Sequence, residues 1–190
     1  MTINRDVLDK EIELIADATI KEWVKETLLK APETYFKNAA SSTGKYHPVC
    51  TFKEGGLIIH IKRAVYIANR LAEGWNIKGQ NRDIVLAAVI IHDIAKVGQG
   101  QGCYKDYEDH PILAEKYFAP TKWAWDENIY EQIRDCVKNH MGPWSPKSIA
   151  KPLGKYTPLE LLTYTADYIA TTKEMGLPID EISYNIYKET

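Results

Sequence analysis

The sequence predicts an all-α fold, a single helical bundle built around one core. Three observations carry that expectation. Apolar residues recur at helical spacing through most of the chain. Helix-opening residues precede several of those stretches. Pro- and Gly-rich segments then separate them.

The elements follow in order. Asp6 can cap a first helix running to about Lys30, and a short helix can follow Pro32. ASSTGKYHPVCTFKEG, residues 40–55, reads as a loop or turn-rich segment. Further helices are expected near 56–73, 81–96, 111–119, 126–140, 158–174 and 179–188. Pro111 and Pro158 suit first-turn positions, and Asp109 or Thr157 can cap. Gly98, Gly100 and Gly102 break the chain in VGQGQGCYKDY, which is not a dinucleotide fingerprint because no strand precedes it. MGPWSPKSIAKPLGKYTP is a long loop, of the kind that often serves as a lid or binding loop.

Length and composition narrow the class. A chain of 190 residues normally forms one domain with a sizeable core, here expected to span 1–190. A hydrophobic content of 45% and a charged content of 26% are ordinary for a globular protein. The net charge of -2 gives no bulk attraction to nucleic acid or anionic membrane. No apolar stretch approaches a membrane span, and MTINRDVLDKEIEL does not resemble a secretory signal. Cys50, Cys103 and Cys136 form neither CxxC nor an even disulfide set, which points to the cytoplasm. Cys136 reads as core.

The chemical signal is the ordered set His60, His92-Asp93, His110, His140, Asp167. The stripe through His60 continues with Ala64, Ile67, Ala68 and Leu71. Ile129, Ile133, Cys136 and Val137 lead to His140 by the same steps. His110 leads Leu113, Ala114, Tyr117 and Phe118, while Asp167 lies among Leu159, Leu162, Thr163, Ala166 and Ala170. Ile84, Ala88 and Ile91 run into His92, with Asp93 about 100° further round. Any one of these alone reads as a core histidine or a capping aspartate. Six on five helices would each need a buried partner, and a shared metal supplies it.

The pattern H…HD…H…H…D resembles the HD-domain superfamily of metal-dependent phosphohydrolases, and its full six-ligand form resembles the two-metal branch. GGLIIH, HDIAK and TPLELLTYTADYI look closest to the HD domains of 3′–5′ exoribonucleases and stand-alone phage or bacterial HD proteins. The resemblance implies an HD core over about 55–172, with the N- and C-terminal helices packed on it. It implies that His60, His92, Asp93 and Asp167 hold one metal, with Asp93 bridging to a second held by His110 and His140. No OB-fold precedes this domain, no GYP element follows, and no Glu-Asp pair stands at the alarmone-hydrolase spacing. The frequent double His of the family is here His140-Met141.

The implied chemistry is phosphoester hydrolysis by a metal-bridged hydroxide, the two divalent ions lying roughly 3.5–4 Å apart. Mn²⁺, Mg²⁺ or Fe²⁺ suit such a His/carboxylate set. Asp93 and Lys96 are the candidate catalytic residues, though Lys96 also suits a helix C-terminus. Lys45, His47, Arg63, Trp144 and Lys147 are candidate substrate contacts. Arg63 has snorkelling to solvent as its alternative, and His47 an ordinary loop position. Trp144, Tyr104 or Tyr107 could stack a base. The expected substrate is a nucleotide or a short nucleic acid. Two other classes share the ligands: a di-iron oxygenase cleaving C–C or C–P bonds with O₂, and a non-catalytic nucleotide-binding module.

Overall fold

The computed structural model describes residues 3–41, 47–96, 109–120 and 127–173. The expected helix from Asp6 to Lys30 is three pieces instead. A 3-10 turn, Arg5–Leu8, leads into α1 (Asp9–Ile12), and α2 (Ala18–Lys30) follows after a break. Asn4, not Asp6, caps the first turn, its side chain accepting from the Asp6 N–H. The break has a tertiary cause. The Asp83 carboxylate accepts from the backbone N–H groups of Ala16 and Asp17 at 3.1 and 2.8 Å. Asp17 in turn caps α2, accepting from Thr19 and Ile20.

Helix α3 (Glu33–Lys37) follows Pro32 as the sequence suggests. The described part of the 40–55 segment holds one 3-10 turn, Val49–Thr51. Helix α4 (Gly56–Gly74) then starts abruptly. Gly55 has φ 75°, in the left-handed region, and a Cβ on Gly56 would collide with the Thr51 carbonyl. The Gly-Gly pair therefore sets the entry of α4, one turn before His60.

Helix α5 (Gln80–Ile91) is buried from Asp83 through Ile91. A helix apolar on every side belongs at the centre of a bundle. It is surrounded by α2, α4, α7 (Glu127–Asn139) and α8 (Pro158–Ala170). Between them, α6 (His110–Leu113) runs on as a 3-10 turn, Ala114–Tyr117. The helices expected near 81–96, 111–119 and 158–174 are thus shorter than the pattern suggests. The one near 179–188 lies outside the described residues.

Helix α8 carries the expected cap. Thr157 Oγ1 accepts from the Glu160 N–H at 3.3 Å, and Glu160 accepts from the Thr157 N–H at 2.6 Å, with Pro158 opening the helix. Asp109 makes no such side-chain cap on α6. The architecture is all-α, with no β-sheet among the described residues. No described helix is long and apolar enough to cross a membrane.

Candidate metal centre

Five elements bring the six ligand-type residues together. His60 comes from the body of α4, and Asp167 from α8. His110 is the first residue of α6. His92 and Asp93 stand in the turn after α5, and His140 in the turn after α7. His92 is therefore not mid-helix, as the expected helix near 81–96 suggested, while His140 stands at the end of its helix, as the expected span 126–140 suggested.

These end positions fix their chemistry. The last carbonyls of a helix lack partners within it. His92 Nδ1 donates to the Val89 carbonyl at 2.7 Å, and His140 Nδ1 donates to the Val137 carbonyl at 2.6 Å. A carbonyl only accepts, so each Nδ1 carries the proton and each Nε2 presents a lone pair to the interior.

The inward Nε2 atoms meet in pairs. His60 Nε2 lies 3.3 Å from His92 Nε2, and His110 Nε2 lies 3.1 Å from His140 Nε2. Nitrogens about 2.1 Å from a common ion, at tetrahedral or octahedral angles, would lie about 3.0–3.4 Å apart. The spacing in both pairs fits a shared cation. His60 Nδ1 is also buried with no hydrogen-bond partner, so no tautomer of that ring is satisfied by the protein alone.

Asp93 divides its two oxygens between the pairs. Its Oδ2 lies 3.5 Å from His92 Nε2 and 3.9 Å from His60 Nε2. Its Oδ1 lies 2.9 Å from His110 Nε2 and 3.6 Å from His140 Nε2. The 2.9 Å approach is not aligned as a hydrogen bond, and Oδ1 has no other partner. Asp167 Oδ1 completes the first group, at 2.9 Å from His60 Nε2 and 3.4 Å from His92 Nε2. Two clusters result, His60–His92–Asp93 and Asp93–His110–His140. A third grouping, His92–His140–Asp167, joins them into one continuous set.

The electrostatics suit cation binding. Burial pushes His140 down to about 4, and it also lowers His60, so both rings stay neutral near pH 7. Burial lowers His92 too, but Asp93 and Asp167 outweigh it and the net direction is up. Burial raises Asp93, yet Lys96 and His92 outweigh that and hold its carboxyl well below the usual range. Asp167 is likewise held well below by His92 and His60. Both carboxylates are ionised, as metal ligation requires.

Of the other residues singled out in the sequence, two lie against this cluster. Lys96 Nζ donates to Asp93 Oδ2 at 2.7 Å. His47 packs its ring 5.5 Å from that of His60, and both its nitrogens are buried without a hydrogen-bond partner. Burial, then the His60 and Lys96 charges, push it down to about 3.

Arg63 departs from expectation. Its Nε donates to the Ala170 carbonyl at 3.1 Å and its Nη2 to the Thr172 carbonyl at 3.2 Å. These carbonyls lie at the end of α8 and just past it, so the guanidinium ties α4 to the end of α8. Trp144 and Lys147 are exposed in the loop after His140. Cys136 is core, its thiol pushed up to about 12 by burial, and it belongs to none of the metal-ligand groups among the described residues. Lys45, Tyr104 and Tyr107 lie outside the described residues. The sequence reading passed over Tyr164 and Tyr168. Their four-residue spacing on α8 was the available signal, and they flank Asp167.

The sequence matches the HD domain family over residues 57–172, a span that begins just before His60 and ends just after Asp167. The chain belongs to that family. No curated protein and no solved structure matches it. The HD domain match and the intact His/Asp clusters together support a metal-dependent phosphohydrolase in general, and the two clusters are consistent with a dinuclear site.

Proposed function

We propose that this HD domain protein hydrolyses a phosphoester of a nucleotide or short nucleic acid, using two divalent ions. The observation that carries the reading is the division of Asp93, with one oxygen towards His60 and His92 and the other towards His110 and His140. A one-ion site would leave His110 and His140 without a purpose.

In this reading His60, His92 and Asp167 would hold one ion and His110 and His140 the other, with Asp93 shared. The donor set of imidazoles and carboxylates suits Mn²⁺, Mg²⁺ or Fe²⁺. When bound, such ions polarise a phosphoryl oxygen and make water a nucleophile at neutral pH. The Val89 and Val137 carbonyls fix the rings of His92 and His140, so the ligand atoms are oriented before any ion arrives. Lys96 is a catalytic residue in this proposal. Its ammonium, 2.7 Å from Asp93 Oδ2, would offset the charge that gathers on a phosphoryl oxygen. His47, neutral and unpartnered, would donate a ring N–H to the same group. Lys147 and Lys45 are proposed phosphate contacts.

The test is an anaerobic assay of apo protein reconstituted with Mn²⁺, against nucleoside monophosphates, cyclic nucleotides and oligonucleotides. Release of phosphate or nucleotide supports the proposal. Absence of phosphoester turnover, together with iron-dependent O₂ uptake on a small organic substrate, would replace it with the oxygenase reading.

A further inference from the structure

Five of the six ligand side chains are sealed from solvent, each at 3% exposure or less, while Asp167 is 18% exposed. Among the six, the Asp167 side chain on α8 is the one that reaches solvent. The next residue, Tyr168, is 47% exposed, and Trp144, four residues beyond His140, is 61% exposed. The two rings lie nearly parallel, 12° apart with centroids at 5.7 Å. Tyr164, one turn earlier on α8, continues the stack at 6.0 Å and 28°, and Tyr156 closes it edge-on.

This row has its own supporting structure. The loop after His140 turns at Gly142, with φ 57°, and a Cβ there would collide with the Tyr164 ring. Only glycine lets the loop lie flat enough on α8 to seat Trp144 against Tyr168. The stack thereby joins the loop carrying His140 to the helix carrying Asp167. The exposed cation of Lys147 stands three residues beyond Trp144.

We propose that Trp144 and Tyr168 form a stacking platform for the nucleobase of the substrate, beside Asp167 of the metal centre. This deepens the phosphohydrolase reading and rests on it. A solvent-facing aromatic pair close in sequence to two of the ligand residues, with an exposed lysine further along the same loop, matches a ligand that is aromatic at one end and anionic at the other. Stacking is tolerant of base identity, so the platform recognises nucleotides as a class. Tyr164 and Gly142 are positioning residues, acting through the two stacked rings.

Two pairs of substrates isolate the platform. The p-nitrophenyl ester of thymidine 5′-phosphate and methyl p-nitrophenyl phosphate share the leaving group and differ in the nucleoside. AMP and ribose 5-phosphate do the same for monoesters. In Trp144→Ala the nucleoside preference, taken as the ratio of kcat/KM within a pair, should fall by roughly five- to a hundredfold, mainly through KM. Trp144→Phe should restore most of it. A ratio within twofold of the unsubstituted protein overturns the platform even if hydrolysis is confirmed, and indicates that the aromatic row is packing only. If no phosphoester is turned over, the readout is AMP binding to full-length protein with metal chelated, followed by calorimetry. Binding that Trp144→Ala weakens at least fivefold upholds the platform independently of hydrolysis. Equal binding by both proteins, or binding by neither, overturns it. Sedimentation at the assay concentrations serves as the check on self-association: Trp144-dependent dimers with no nucleoside preference would likewise overturn the proposal.

Discussion

Helix α4 buries His60 and Lys62 two residues apart, and these two polar side chains fare differently. Lys62 points one way and meets Glu11, Nζ to Oε2 at 2.6 Å. Asp83 on α5 is equally well served, taking two backbone N–H groups and lying 3.4 Å from Arg82. His60 points the other way, into the imidazoles and carboxylates of the metal centre, and there the atoms do not match. Ring nitrogens face ring nitrogens at 3.1–3.3 Å, and His60 Nδ1 and Asp93 Oδ1 lack hydrogen-bond partners. Buried polar groups that the protein satisfies are structural. Buried groups that it brings together and leaves unsatisfied are arranged for something else, here a cation.

The comparison can be broken most forcefully at Asp93. Asp93→Ala should remove both ions and reduce activity to background, well beyond the roughly 10–100-fold cost of outer-shell changes. The fold should lose some stability, because Lys96 loses its carboxylate partner, so metal content and turnover are read at a temperature where circular dichroism shows the variant folded. Near-normal turnover would show that the active site has been misplaced.

The opposite pattern is expected on the other side of α4. Glu11→Ala should leave metal content unchanged but destabilise the fold by about 3–5 kcal/mol, because Lys62 stays buried and unpaired. Denaturant unfolding of metal-loaded and metal-free protein measures this. Replacing both members, with Glu11→Leu and Lys62→Met, should recover most of that loss. If Glu11→Ala instead changed metal binding, the two sides of α4 would not be independent.

Chelation sharpens the same contrast. Removing each ion, where free metal stands at about 100 times its Kd, should lower stability by about 2.7 kcal/mol. For a protein of this size that is a Tm drop of about 5–10 °C. The shift should survive Glu11→Ala and vanish in Asp93→Ala. The smallest effect expected is that of Lys96→Ala. Loss of a charge-assisted contact of about 1.5–3 kcal/mol should reduce kcat/KM roughly ten- to a hundredfold. A lysine serving only the helix dipole would leave turnover nearly intact.

Much of this was legible in the sequence, for reasons that are local. The stripe through His60, the apolar run into His92-Asp93 and the Thr157-Pro158 start of α8 are short-range patterns, and short-range chemistry decides them. What the sequence hid depends on distant partners. The break before α2 is held by Asp83, from α5. Arg63 is engaged by carbonyls at Ala170 and Thr172, more than a hundred positions away. The burial of His47 against His60 and the stacking of Trp144 on Tyr168 likewise need the folded chain. Asp17 was the recoverable miss, since an aspartate ahead of an apolar-periodic stretch is itself a cap signal.

The central claim is that six residues hold two ions through one shared carboxylate. Metal analysis of the full chain, purified without added metal and then reconstituted and desalted, tests it most directly. The account predicts two equivalents in the unsubstituted protein, one in His110→Ala and none in Asp93→Ala. A single equivalent that His110→Ala retains in full would contradict it.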